Sequence, residues 1–170
     1  PTRNLTSGNI TALALSDSTL WIGTTAGINR LNRRTRTITS VQQPVLRDLR
    51  VYDLVVDAEQ AVWVGTDRGV YRRSSDGVWK KIEDPNSPLL NGLVSVIAID
   101  GNNIWFGAPS ALLRFNRTDG TWKQWSLPIS VTGGRFHLRV SDRAIWLGTR
   151  SGAVKFDKKR EAWTVYTTKD

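Results

Sequence analysis

An all-β chain of four four-stranded antiparallel sheets is predicted by three observations. A tryptophan followed two residues later by glycine returns in four octapeptides: "LWIGTTAG" (20–27), "VWVGTDRG" (62–69), "IWFGAPSA" (104–111) and "IWLGTRSG" (145–152). The motif tryptophans Trp21, Trp63, Trp105 and Trp146 stand 42, 42 and 41 residues apart. Between them lie short strand-patterned segments punctuated by turn residues, and none has a helical period. Four short strands recurring every ~40–50 residues are the signature of β-propeller blades. The chain is therefore read as one propeller domain over residues 1–170, with blades near 7–48, 49–89, 90–131 and 132–170.

Each blade opens on an apolar or alternating segment: "ITALAL" (10–15), "VYDLVV" (51–56), "VSVIAI" (94–99) and "FHLRV" (136–140). A polar turn follows, with Asp17, Asp57, Asp100 and Asp142 as turn formers. The tryptophan strand comes next. It is apolar without alternation, as a strand covered on both faces must be. Trp21, Trp63, Trp105 and Trp146 are assigned to fill the space between neighbouring sheets. Gly23, Gly65, Gly107 and Gly148 are assigned to let another backbone or side chain come close. A tight turn then uses Gly27, Gly69 and Gly152, where positive φ is cheap for glycine. The third blade departs here, with Ala108 for Thr and Ala111 for Gly. The third strands are "INRLN", "VYRRS", "LLRFN" and "AVKFD". Trp79, Trp122 and Trp163 mark the fourth strands, with Ile38 in their place in the first blade.

Bulk composition narrows the function. Hydrophobic content of 39% in 170 residues suits a folded globular chain. The absence of cysteine excludes disulfides and thiolate chemistry. No apolar run is long enough to span a membrane as a helix. The start at "PTRNLTSGN", without methionine, is read as a mature or excised segment. The formal net charge is +9. The cations are spread along the chain, so nucleic-acid binding is not expected. Arg30, Arg72, Arg114 and Lys155 each follow a motif tryptophan by nine residues, and Lys158, Lys159 and Arg160 lie in an outer turn. These are read as solvated blade edges, where charge discourages strand-to-strand aggregation.

No catalytic residue, metal site or cofactor is expected. The one histidine, His137, falls in an inner strand and has no recurring carboxylate partner. No metal-ligand spacing, phosphate loop or nucleophile elbow appears. Ligands of propellers bind at loops on one face of the ring. The candidates there are Asp67, Arg68 and Arg150 from the turns, and Arg47, Asn86, Asn91 and Arg135 from the connections.

The pattern "LWIGTTAGINRLN" resembles the repeat of the two-component regulator propeller family, as does "PNSPLLNGLVSVIAIDGNNIWFGAPSALLRFN" (85–116). That resemblance implies a non-enzymatic sensing module in an extracytoplasmic, periplasmic setting, binding a carbohydrate or anionic ligand or mediating assembly. The alternatives are a structural scaffold, including an engineered or excised repeat set, and, more remotely, a propeller lyase built around His137.

Four repeats leave the first and last blades each with one apolar face to cover. Three arrangements would cover them. The blades close on themselves, two chains join as a homodimeric eight-bladed ring, or further blades exist in a longer chain. The dimer is favoured.

Overall fold

A computed structural model describes residues 5–83, 91–129 and 137–168. The described chain forms four four-stranded antiparallel sheets in simple up-and-down order. Blade 1 holds β1 (Ile10–Ser16), β2 (Thr19–Thr24), β3 (Gly27–Asn32) and β4 (Thr37–Ser40). Blade 2 holds β5 (Val51–Val56), β6 (Val62–Thr66), β7 (Gly69–Arg73) and β8 (Trp79–Ile82). Blade 3 holds β9 (Val96–Asp100), β10 (Asn103–Ala108), β11 (Ala111–Asn116) and β12 (Trp122–Ser126). Blade 4 holds β13 (His137–Val140), β14 (Ala144–Thr149), β15 (Gly152–Asp157) and β16 (Ala162–Tyr166). The chain divides into two compact units, residues 1–94 and 95–170, each holding two blades.

Within the first unit, the face of β2 that carries Trp21 and Gly23 is covered by blade 2. Trp21 meets Trp79 edge to face at 6.0 Å, with the Arg73 guanidinium 5.3 Å above its ring. A Cβ on Gly23 would stand 2.6 Å from Val51 Cγ1, so only hydrogen permits this approach of β5. On β6, a Cβ on Gly65 would meet the Val94 carbonyl oxygen at 2.6 Å. In the second unit, Trp105 packs against Phe156 and Trp125 at 5.9 and 5.6 Å, and Phe156 against Trp163 at 4.7 Å. Trp21, Trp63 and Trp105 are 4%, 1% and 2% exposed. Trp146 departs from the expected burial. It is 37% exposed and stacks on Tyr166 at 5.8 Å.

The indole N–H groups of the three buried motif tryptophans are also satisfied. Trp63 Nε1 donates to Asp57 Oδ2 at 2.9 Å, Trp105 Nε1 to Asp100 Oδ2 at 3.1 Å, and Trp21 Nε1 to Ser16 Oγ at 3.0 Å. Asp57 and Asp100 therefore do more than turn the chain. Asp57 accepts the backbone N–H groups of Glu59 and Ala61 as well, so one buried carboxylate holds both the turn and the indole. A buried indole N–H left without an acceptor would lose on the order of 1–3 kcal/mol.

The cations opposite the motif tryptophans are not simply solvated edges. Register pairs Trp21 with Arg30, Trp63 with Arg72, Trp105 with Arg114 and Trp146 with Lys155. Three of these cations lie over the indole they face, at 5.2 Å for Arg72, 5.9 Å for Arg114 and 5.6 Å for Lys155. Cation–π attraction contributes ~0.5–1 kcal/mol at such sites. Arg30 instead donates from Nε to Thr39 Oγ1 at 3.0 Å.

The threonine after the motif glycine has a specific task. Thr24, Thr66 and Thr149 donate their hydroxyls to the carbonyls of Gly27, Gly69 and Gly152 at 2.9, 2.8 and 2.9 Å. The same hydroxyls accept the N–H of Ala26, Arg68 and Ser151. Gly27, Gly69 and Gly152 take φ of 109°, 110° and 138°, a range disfavoured for other residues. Blade 3 has lost the hydroxyl and the glycine together, and its strands still pair from Ala108 to Ala111.

Two substitutions test these roles. Gly65→Ala pushes a methyl into a backbone oxygen that cannot rotate away, and is expected to cost about 2–3 kcal/mol in urea unfolding. Thr66→Val keeps the shape but removes both turn hydrogen bonds, and is expected to cost about 1–2 kcal/mol.

Candidate functional site

The β4–β5 connection, residues 41–50, builds a cleft in the first unit. Pro44 fixes φ at the start of a single 3-10 turn, Pro44–Leu46. Leu46 and Leu49 are buried in the blade 1–blade 2 core. These two anchors, three residues apart, leave Arg47 and Asp48 between them facing solvent. Asp48 pays a local cost to do so, with φ at 56°, a left-handed conformation uncommon outside glycine.

The cleft encloses about 320 Å³. Its polar lining is Thr6, Gln42, Gln43, Arg47 and Asp48, over an apolar floor of Ile28, Val41 and Leu46. The opposite wall is held by side-chain bonds. Thr6 N–H donates to Asn29 Oδ1 at 3.2 Å, and Asn29 Nδ2 donates to Thr6 Oγ1 at 2.7 Å. Ser7 and Thr25 share a hydroxyl–hydroxyl bond at 3.0 Å, and Thr25 N–H donates to the Asn9 carbonyl at 3.2 Å. The segment before β1 is thereby pinned to the β2–β3 turn. Two amides, a guanidinium, a carboxylate and a hydroxyl offer mixed donors and acceptors over an apolar floor. That chemistry suits a polyhydroxylated or anionic ligand, which needs several directional bonds and one apolar surface.

Of the sequence candidates, Arg47 lies in this cleft. Asp67, in the β6–β7 turn, serves to fasten the connection: its Oδ1 accepts the Arg50 N–H at 3.0 Å and its own N–H donates to the Arg50 carbonyl at 3.1 Å. Arg68 is exposed beside Tyr71, whose phenol is pushed up from 10.0, chiefly by burial, with Arg68 pulling in the opposite direction. Asn91 is exposed in the first unit, and Arg150 is exposed in the β14–β15 turn of the second. Asn86 and Arg135 lie outside the described residues. His137 opens β13, opposite Gly148, and is exposed instead of packed. Gln42, Gln43, Asp48 and Thr6 were not legible as site residues. The one sequence signal for Gln42, Gln43 and Asp48 is the proline followed by two leucines three apart, which makes the connection a fixed surface.

The second unit carries a basic cleft of about 540 Å³ lined by Arg143, Lys155, Lys158, Lys159 and Arg160, with Asp142 and Asp157. Its cations are partly committed. Lys158 pairs with Asp100 at 2.6 Å, and Asp157 accepts the N–H groups of Lys159 and Arg160 at 3.0 and 2.8 Å. Those backbone bonds, that from Arg160 first, hold the Asp157 carboxyl below its ordinary value. Among the described residues, no three His, Cys, Asp or Glu side chains come together as a metal site would require.

No sequence family matches the chain, and no curated protein matches it. Solved structures do. The extracellular domain of BT4673 from B. thetaiotaomicron, described as a one component system, superposes with a TM-score of 0.82 at 19% identity, over 100% of this chain and 24% of that one. The extracellular domain of BT3049, described as a hybrid two component system of the same organism, gives 0.76 at 18% identity, over 97% and 24%. Virginiamycin B lyase from Staphylococcus aureus gives 0.71 at 20% identity, over 94% and 55%. The fold is that of propeller blades. The chain spans about a quarter of the length of the two extracellular domains. No described helix is long and apolar enough to cross a membrane.

The Tyr71 environment gives one expected outcome. Its folded-state pKa lies above its unfolded value, so the associated stability is complete below pH 10 and is lost as pH rises through the folded value. Arg68→Ala removes the one influence that lowers it. Ultraviolet titration of the phenols is expected to show Tyr71 ionising at still higher pH in that variant.

Proposed function

We propose that the chain is a non-enzymatic ligand-binding module of the sensing type, resembling the propellers of two-component regulators, and that it works outside the cytoplasm. The observation that carries this is the cleft at the β4–β5 connection, where Arg47, Asp48, Gln42 and Gln43 converge over an apolar floor. Its ligand class is a carbohydrate or other polar molecule, with a preference for acidic sugars. The net charge of +9 would raise the local concentration of anions, and Arg47 offers a forked donor for a carboxylate or sulfate. The likeness to the extracellular domains of BT4673 and BT3049 supports the reading at the level of the fold.

A lyase reading has less support. The likeness to virginiamycin B lyase is also one of fold, and His137, the only histidine, stands exposed at the start of β13 opposite Gly148. Incubation with a streptogramin B such as quinupristin is expected to leave the compound's mass and chromatographic retention unchanged.

A glycan array followed by calorimetry tests the binding reading. Acidic oligosaccharides are expected among the ligands, and Arg47→Ala is expected to weaken them about tenfold or more by removing a charge-assisted bond. Its melting temperature should stay that of the parent, because the side chain is exposed. Equal affinity in the variant would remove the cleft as the site.

A further inference from the structure

The two ends of the repeat array carry matching halves of a joint that is complete between the first two blades. In that joint, a Cβ on Gly23 would stand 2.6 Å from Val51 Cγ1, 3.3 Å from Val51 Cβ and 3.0 Å from Leu54 Cδ2. Farther along the blade, Trp21 meets Trp79 and Arg73.

Strand register identifies the equivalent positions. Val51 pairs with Thr66 and Leu54 with Val64 in blade 2; Ile10 pairs with Thr24 and Leu13 with Ile22 in blade 1. Ile10 and Leu13 thus occupy in blade 1 the places of Val51 and Leu54. Yet Val51 and Leu54 are fully buried, while Ile10 and Leu13 are 41% and 59% exposed. Leu31 and Ile38 face each other across β3 and β4 where Arg73 and Trp79 do so across β7 and β8. At the far end, Gly148 is the repeat equivalent of Gly23, and a Cβ there would meet nothing within 4 Å. Beside it Trp146, the equivalent of Trp21, lies open on its Tyr166 stack.

We infer that the Trp146–Gly148 face of blade 4 is the docking surface for blade 1 of a second copy of this chain. Ile10 and Leu13 of the second copy seat on Gly148, and its Leu31 and Ile38 close over Trp146. The reverse contact forms at the same time, so the pair is isologous and two identical joints cover all four open faces. Eight blades result, within the usual range for a ring. A second copy is the occupant because its blade 1 presents apolar side chains at the register positions that seat on Gly23 in the complete joint, and because Ile10, Leu13 and Trp146 are exposed. Contiguous apolar surface of this kind on a soluble chain marks an interface. The inference does not depend on the ligand reading above.

The absence of cysteine permits a direct test. The Ile10→Cys, Gly148→Cys double variant places thiols where the complete joint has Cβ positions 3.3 Å apart, close to the ~3.5–4.5 Å of a disulfide. The parent is expected to scatter light with twice the mass of one 19.0 kDa chain, and the oxidised double variant to run as a dimer on a non-reducing gel. Gly148→Val puts a branched side chain where Gly23 has none, and should return the mass to 19.0 kDa with the strand circular dichroism intact. If that variant fails to fold, Leu13→Asp, on an already exposed side chain, should give the same monomer. A parent of 19.0 kDa at its highest soluble concentration would overturn the inference, whether further blades or another partner cover the faces. So would a disulfide formed within one chain, which would mean that the array closes on itself, or dimers that survive both Gly148→Val and Leu13→Asp.

Discussion

The seating of one sheet on the tryptophan–glycine face of its neighbour governs the rest of the molecule. An indole is large enough to fill the space between two twisted sheets, and a hydrogen two residues on lets the next strand come within van der Waals contact. Trp21 and Gly23 form such a surface under Val51, Leu54 and Trp79. Trp105 forms one under Phe156. The indole N–H would make this packing costly if it had no acceptor. A residue at or just after the end of the first strand, Ser16, Asp57 or Asp100, supplies one. The indole's acceptor therefore lies five or six positions before it in the same blade, while its packing partner comes from the next blade.

This locality explains why so much of the fold could be read from the sequence. The interval between tryptophans, the turn glycines and the fourth-strand aromatics are all short-range patterns, and the register pairs Trp79, Trp122 and Trp163 with Arg73, Phe115 and Phe156 at matching places. Two features escaped. The burial of Trp146 was expected from its motif, yet burial depends on what lies beyond the blade, which the motif does not encode. Sequence pattern reads the cations opposite the tryptophans as edge charges, because it does not reveal that a guanidinium lies over an indole.

The candidate site was less legible for a physical reason. A binding surface on a propeller comes from connections, and a connection's shape follows from where its anchors bury. Arg47 was identified from its place in a loop. Its neighbours in the cleft, Gln42, Gln43 and Asp48, become visible only once Leu46 and Leu49 are seen to sink into the core and hold the intervening residues outward. Asp67 shows the reverse case. It is a charged loop residue with both its side chain and its backbone committed to Arg50, so its charge serves the scaffold.

The β10–β11 hairpin shows that threonine and glycine belong to one device. Where Thr24, Thr66 and Thr149 each cap the carbonyl of a left-handed glycine, blade 3 has Ala108 and Ala111 and does without both. The hydroxyl holds both backbone groups of a turn whose positive φ the glycine supplies, so a loop grafted onto these strands should carry both residues or neither.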